Sequence, residues 1–152
     1  MPKASVKRLI ECEKKDLINL VLDIEKYPEF VPFCYDAKIY ENKNEGNLTK
    51  IIADLTIGKG PFKDTYKSDV VLNRKNDSIF VKNIEGPLNH LSNNWKFVDK
   101  ENGITEITFD IDFEIKNKFL NSLMVVSFQF GLEKIADAFQ KRAEQLYDSS
   151  KN

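Results

Sequence analysis

From Asp36 to Ile115 the chain repeats one unit, a run of alternating apolar and polar residues closed by a short turn-forming group, and this constrains the fold more than any other feature. The turn groups are Asn44-Glu45-Gly46, Gly58-Lys59-Gly60-Pro61, Asn73 to Asp77, Gly86-Pro87 and Glu101-Asn102-Gly103. A parallel crossover needs roughly a dozen residues or more, so these connections force roughly six strands into an antiparallel meander. The last strand is the plainest. Ile107, Phe109, Ile111, Phe113 and Ile115 alternate with Thr108, Asp110, Asp112 and Glu114, which puts one face against a core and the other in water. Ile51, Ala53, Leu55 and Ile57 repeat the pattern against Lys50, Asp54 and Thr56.

Helical spacing brackets the strands. Residues 4–12 read as a first strand, and Asp16 to Glu25 follow with Leu17, Leu20, Val21 and Ile24 on one helical face. Pro28 disfavours the α conformation at Tyr27 and is expected to stop that helix near Lys26. Tyr27-Pro28-Glu29-Phe30-Val31-Pro32-Phe33-Cys34 then forms a rigid turn able to plug one end of a core. Asn117 is placed to cap a final helix from Lys118 to Tyr147, about 45 Å long at about 1.5 Å per residue. No repeat or linker divides residues 1–152, so the prediction is a single α+β domain: a curved antiparallel sheet of six to seven strands wrapped around a long C-terminal helix. A curved sheet closed by a helix commonly leaves a ligand-sized cavity between them.

The C-terminal helix carries two stripes. Phe128, Leu132, Ile135, Phe139, Ala143 and Leu146 share one face, which should lie on the sheet. Phe119, Leu123, Val126 and Phe130 lie about 180° away. Two readings fit this second stripe: the helix bends near Gly131 and the 27–34 segment covers it, or it is a hydrophobic surface for a membrane, a second copy of the chain or a ligand tail.

Composition removes several function classes. With 41% hydrophobic and 31% charged residues the chain is neither disordered, collagenous nor a disulfide scaffold. Lys plus Arg number 23 against 24 Asp plus Glu, and the only arginines are Arg8, Arg74 and Arg142, so DNA capture by phosphate neutralisation is not expected. His90 is the sole histidine, and Cys12 and Cys34 form no CxxC pair, which leaves no ligand set for structural zinc or any other metal. The opening residues lack the apolar core of a signal peptide and no run reaches the length of a spanning helix, so a cytoplasmic location is expected, with the inner membrane surface as a peripheral site.

No phosphate-cradling, nucleophile-elbow or zincin motif occurs, and Asp110, Asp112 and Glu114 fall on the wet face of their strand. No catalytic residues are assigned and the chain is read as a non-enzyme. His90 follows a turn with no acidic partner evident in the sequence. On the strand from Phe62 to Leu72, Asp64 and Ser68 share a face with Phe62, Tyr66, Val70 and Leu72, so inward apolar residues bring polar ones with them, and those need partners. A cavity with water or a polar ligand head would supply such partners, as would an edge location. Trp95, alternating with Phe97, belongs to the core or to a cavity wall.

Tyr27-Pro28-Glu29-Phe30-Val31-Pro32-Phe33-Cys34, Glu85-Gly86-Pro87-Leu88-Asn89-His90-Leu91 leading to Trp95-Lys96-Phe97, Asp112 to Lys118, and Ala138-Phe139-Gln140-Lys141-Arg142-Ala143 to Tyr147 together resemble the coenzyme-Q-binding START-type proteins, also called polyketide cyclase/dehydrase-like, whose bacterial members are labelled ribosome-association toxin RatA. The resemblance covers nearly the whole chain. Leu88 stands where the family has an aromatic residue, and Asn93-Asn94 stand where it has glycines. Membership implies a helix-grip fold, β-α-α-β6-α, and a non-enzymatic protein that binds ubiquinone or a related isoprenoid lipid as ligand rather than cofactor, chaperoning quinone for respiration. Within that reading Phe30, Val31, Asp64, Tyr66, Ser68, Trp95, Phe109 and Phe128 are cavity candidates, with Leu123 as a further wall or gate. Phe119, Leu123, Val126 and Phe130 are candidates for a partner or membrane surface, including a homodimer contact. The alternative implied by the bacterial label is a protein that binds a ribosomal subunit and blocks subunit association.

Overall fold

The computed structural model describes residues 3–86 and 88–147, without the side chains of residues 59, 62, 88, 89, 115 and 120–128. Strand β1 (Lys3–Ile10) leads into helix α1 (Lys14–Leu22), a 3-10 turn (Ile24–Lys26) and the short helix α2 (Tyr27–Phe30). Six strands follow: β2 (Cys34–Glu45), β3 (Leu48–Lys59), β4 (Phe62–Asn73), β5 (Ser78–Glu85), β6 (Leu88–Asp99) and β7 (Thr105–Ile115), and the chain finishes in α3 (Lys118–Tyr147). Every strand pair is antiparallel, in the order β1-β7-β6-β5-β4-β3-β2. Bulges in β2, in the β4–β5 ladder and at the start of β6 bend the sheet around the helices.

Local chemistry sets the boundaries. Asn117 accepts the Phe119 N–H at 3.0 Å, the expected cap of α3. Gly46, Gly60 and Gly103 take left-handed conformations at three of the expected turns. Pro28 does not end a helix. It sits in the first turn of α2, where its missing N–H costs nothing, and Tyr27 is αR at φ −53°, ψ −41°. The break comes earlier, at Asp23 (φ −82°, ψ 62°).

The core lies on the inner face of the sheet. Leu17, Leu20, Val21 and Ile24 from the α1 region and Leu132, Ala136, Phe139 and Ala143 from α3 pack onto Val6, Ile10, Ile51, Val70, Ile79, Trp95, Phe97, Ile107 and Phe109. Phe139 is the hub, meeting Tyr27, Phe30 and Trp95 edge-on with centroids 5.4, 5.1 and 5.2 Å away. Burying one such side chain stabilises the fold by roughly 1.5–3 kcal/mol. Among the described residues the predicted α3 stripe holds from Leu132 through Ala143 but not at Leu146, which is 54% exposed. Cys12 and Cys34 are buried thiols, not bridged to each other.

Side chains cover both sheet edges. Gln129 and Gln140 of α3 donate to the Ser5 and Leu9 carbonyls of β1 at 3.2 and 3.4 Å, with Arg8 and Asp137 paired between them at 2.9 Å. At the other edge Glu25 accepts the Ile39 N–H of β2 at 2.9 Å. These bonds occupy part of each edge, which limits pairing with further strands there.

Candidate ligand-binding face

The inner face carries two apolar clusters. The larger is closed by α1 and the C-terminal half of α3. The smaller, Tyr66, Leu91 and Phe113 flanked by Leu55 and Ile111, lies toward the end of the sheet from which α3 starts, and among the described residues nothing from α3 belongs to it.

A group of polar residues on β4, β5 and β6 separates the clusters. Ser68 is fully buried and donates to the Ala53 carbonyl at 3.2 Å. Opposite it on β5, Asn83 uses Oδ1 to accept the Leu91 N–H at 2.8 Å, where the β5–β6 ladder has run out past Lys82 and Ser92. Asn93, between Leu91 and Trp95 on the inward row of β6, has its Oδ1 buried without a hydrogen-bond partner. Leaving such an acceptor unpaired costs about 1–3 kcal/mol. Burial holds the Tyr66 phenol well above the ordinary tyrosine range, so it is a neutral O–H donor at any physiological pH.

Gly86 fixes Tyr66 in place. Its φ is +138°, and a Cβ there would stand 2.7 Å from the Tyr66 Cβ and 3.0 Å from its Cα. Only glycine allows the β5–β6 turn to lie this close to β4.

The predicted cavity residues are spread over several places. Tyr66 is in the smaller cluster; Trp95 and Phe109 stack at 4.1 Å within the larger one. Phe30 and Val31 pack against the larger cluster from α2, where the Phe30 ring lies under the Arg142 guanidinium (5.1 Å) and Arg142 pairs with Glu29 at 2.8 Å. Asp64 does not point into the interior. It shares the parity of the inward row but is exposed at the start of β4, where its carboxylate accepts the Thr65 N–H at 2.8 Å. Ser68 does face inward, with a backbone carbonyl as its partner. Phe119 and Phe130 are 71% and 63% exposed, so the 27–34 segment does not cover the second stripe there, although Gly131 does lie beside Phe33. Phe128, Leu123 and Val126 have side chains outside the described residues.

Asn93 is the residue that the sequence reading passed over as a site. The signal was available: an amide interrupts the apolar row Leu91, Asn93, Trp95, Phe97. His90 does have an acidic neighbour, since its Nε2 lies 3.7 Å from Asp112 Oδ2, a pairing made by the β6–β7 register on the outer face of the sheet. A shallow depression of about 540 Å³ lies beside β1, β6 and β7, lined by Ser5, Phe80, Ser92, Asn93, Asp110, Ile111 and Gln129 among others. It is open to water and lacks the enclosure an apolar ligand needs.

A sheet that grips one long helix and keeps polar groups within its apolar lining has the architecture of the START-type domains. Residues 13–140 match the family described as polyketide cyclase / dehydrase and lipid transport, and the chain belongs to that family. It is 30% identical over 142 residues to the ribosome association toxin RatA of Rickettsia prowazekii, covering 91% of this chain and 94% of that one. To the mitochondrial coenzyme Q-binding protein COQ10 of Dictyostelium discoideum it is 31% identical over 134 residues, 87% of this chain and 64% of the relative. A START superfamily protein from Mycobacterium smegmatis superposes with a TM-score of 0.81 at 20% identity, covering 95% of this chain and 98% of that one. The Zhui aromatase/cyclase from Streptomyces gives 0.78 at 13% identity over 94% and 93% of the two chains, so the same fold also serves an enzyme.

Proposed function

We propose that the protein is a non-enzymatic carrier of an isoprenoid quinone or a closely related lipid, held between the inner face of the sheet and the N-terminal half of α3. The observation that carries this reading is the buried, unpartnered Asn93 Oδ1 between two apolar clusters, on the same face as the neutral Tyr66 hydroxyl. A quinone head is planar and apolar at its faces, with two carbonyl acceptors. Tyr66 can donate to a head-group oxygen, and the unpaired Asn93 Oδ1, an acceptor, can take the O–H of the reduced quinol form. The tail supplies most of the driving force, at about 0.8 kcal/mol per buried CH₂, and the polar contacts orient the head. Among the described residues of this face there is no nucleophile paired with a base, which supports binding rather than turnover. The name of the Dictyostelium relative supports the quinone class.

The test is extraction and mass-spectrometric identification of lipid that co-purifies with the protein, followed by titration of Trp95 fluorescence with ubiquinone. Co-purified quinone and saturable quenching are expected. Repeated absence of both refutes the reading.

The match to RatA over 94% of that protein favours a second reading, binding to a ribosomal subunit with inhibition of subunit association. With a net charge of −1, such binding would rest on protein contacts more than on RNA phosphates. Sucrose gradients with excess protein decide it: unchanged subunit and assembled-ribosome peaks exclude this reading.

A further inference from the structure

Phe119 and Phe130 are the most exposed aromatic side chains among the described residues of α3, at 71% and 63%. Eleven residues apart, they differ by about 20° around the helix axis and lie about 16 Å apart along it, on the side opposite Phe139 and the core. In the sequence Leu123 and Val126 stand between them, so successive members of the stripe are separated by four, three and four residues. That is the heptad spacing of a coiled-coil seam, which keeps one helix in register with another.

The charges on this side of α3 are ordered along it. Exposed Lys116 precedes the apolar stretch, and exposed Glu133, Lys134 and Asp137 follow it. Glu133 continues the heptad spacing three residues past Phe130 and accepts from Gln129 at 3.5 Å. Lys134 reaches back over the Phe130 ring, its Nζ 4.7 Å from the centroid, and Asp137 is paired with Arg8 at 2.9 Å. Lys118 lies about 100° around the helix from the stripe. The first turn of α3 has no acidic side chain, although a helix N-terminus carries the positive end of the backbone dipole and favours acids beside it.

We propose that two copies of the chain dimerise through this stripe, with their α3 helices antiparallel about a two-fold axis that passes each helix between Met124 and Val125. The spacing of the stripe sets the axis. It places Phe119 opposite the partner's Phe130 and Leu123 opposite the partner's Val126, and two-fold symmetry repeats both contacts. The same axis brings Lys116 opposite the partner's Glu133, so each end of the seam holds an opposite-charge pair. The partner's Glu133 thereby supplies the acid that the first turn of α3 lacks. Each end collects Lys116 from one copy and Glu133, Lys134 and Asp137 from the other, and these charges cancel. A parallel pairing would instead set Lys116 beside Lys116 and Glu133 beside Glu133, which repel. Four rings, each about two-thirds exposed, supply roughly 400–600 Å² of apolar area, at the small end of specific interfaces, so the association is reversible and weak. The seam lies on the far side of α3 from the sheet, and it is tested without the cavity ligand.

The test is sedimentation equilibrium of the full chain, free of added lipid or quinone, from about 1 µM to about 0.5 mM. A reversible monomer-dimer equilibrium is expected. Phe119→Ala with Phe130→Ala should weaken it at least about a hundredfold. Lys116→Glu or Glu133→Lys alone should weaken it at least about fivefold, because either one sets like charges at both ends of the seam, and the two together should return it to within about threefold of the wild type. All four residues are exposed, so the variants should keep the wild-type circular dichroism at dilutions where the protein is monomeric. A wild type that stays monomeric throughout overturns the proposal, as does a dimer that the Phe pair leaves intact. A dimer indifferent to the single charge reversals, or not restored by the two together, also overturns it, since the helices would not be antiparallel in this register. Vesicle flotation that needs the Phe pair while the protein sediments as a monomer would assign the face to a membrane instead.

Discussion

Replacing Asn93 by Leu should make the protein more stable and a poorer binder. Leu keeps the branching and heavy-atom count of Asn, with methyl groups in place of the amide oxygen and nitrogen, and suits the row between Leu91 and Trp95, which are 6% exposed each. The substitution removes a buried acceptor that has no partner, so the gain is the cost of leaving it unpaired, about 1–3 kcal/mol. For a domain of this size about 2 kcal/mol corresponds to a rise in Tm of roughly 4–8 °C. Ligand affinity should move the other way, by about tenfold for one lost hydrogen bond of about 1.4 kcal/mol. Ser68→Ala is the control: its hydroxyl already has the Ala53 carbonyl, so its loss should destabilise by about 0.5–1.5 kcal/mol and leave binding alone. Calorimetric melting gives the first quantity and Trp95 quenching the second. A destabilised Asn93→Leu protein with unchanged quinol affinity would refute both the orphaned acceptor and its role.

Gly86→Ala places a Cβ 2.7 Å from the Tyr66 Cβ at a φ that L-residues avoid, and urea unfolding should show a loss of about 2 kcal/mol or more. Phe139→Ala empties the aromatic hub and should cost about 3–5 kcal/mol, with red-shifted Trp95 emission. The Cys34 thiol, pushed up to about 11 by burial, should alkylate about a hundredfold more slowly in the native protein than an ordinary thiol, on thiolate fraction alone; rapid labelling would show that β2 opens at its start. Arg142 holds the Glu29 carboxyl below its usual range, so this pair contributes above the unfolded-state value and is lost as pH falls through the folded one. In Arg142→Gln the decline of the urea midpoint in that acid window should become shallower, and an unchanged decline would assign it to other carboxylates.

The sequence by itself determined what depends on near neighbours. Alternation fixes which residues of a strand share a face, so the meander, its turn groups and the inward row of the last strand, described from Ile107 to Phe113, were legible. Spacing and a capping Asn117 likewise bound α3 between Lys118 and Tyr147. Pro28 was misread because its effect depends on whether it lies within a helix or in the first turn of a new one, a difference of one or two residues. Periodicity also cannot say where a face runs out of partner: Asp64 and Leu146 have the right parity and angle, yet both are exposed.

Only the tertiary structure decided the polar pairings. Asn83 serves Leu91 because one ladder stops short, Ser68 is satisfied by a neighbouring strand, and His90 meets Asp112 through the register of β6 on β7. On the inward row of β6 the Asn93 Oδ1 is left over, and that is a property of the assembled sheet. Hydrophobic periodicity is written along the chain at intervals of two or three to four residues, so it can be read locally. Whether a buried acceptor has a donor depends on atoms brought together by contacts many residues apart, and those exist only once the sheet has closed around the helix.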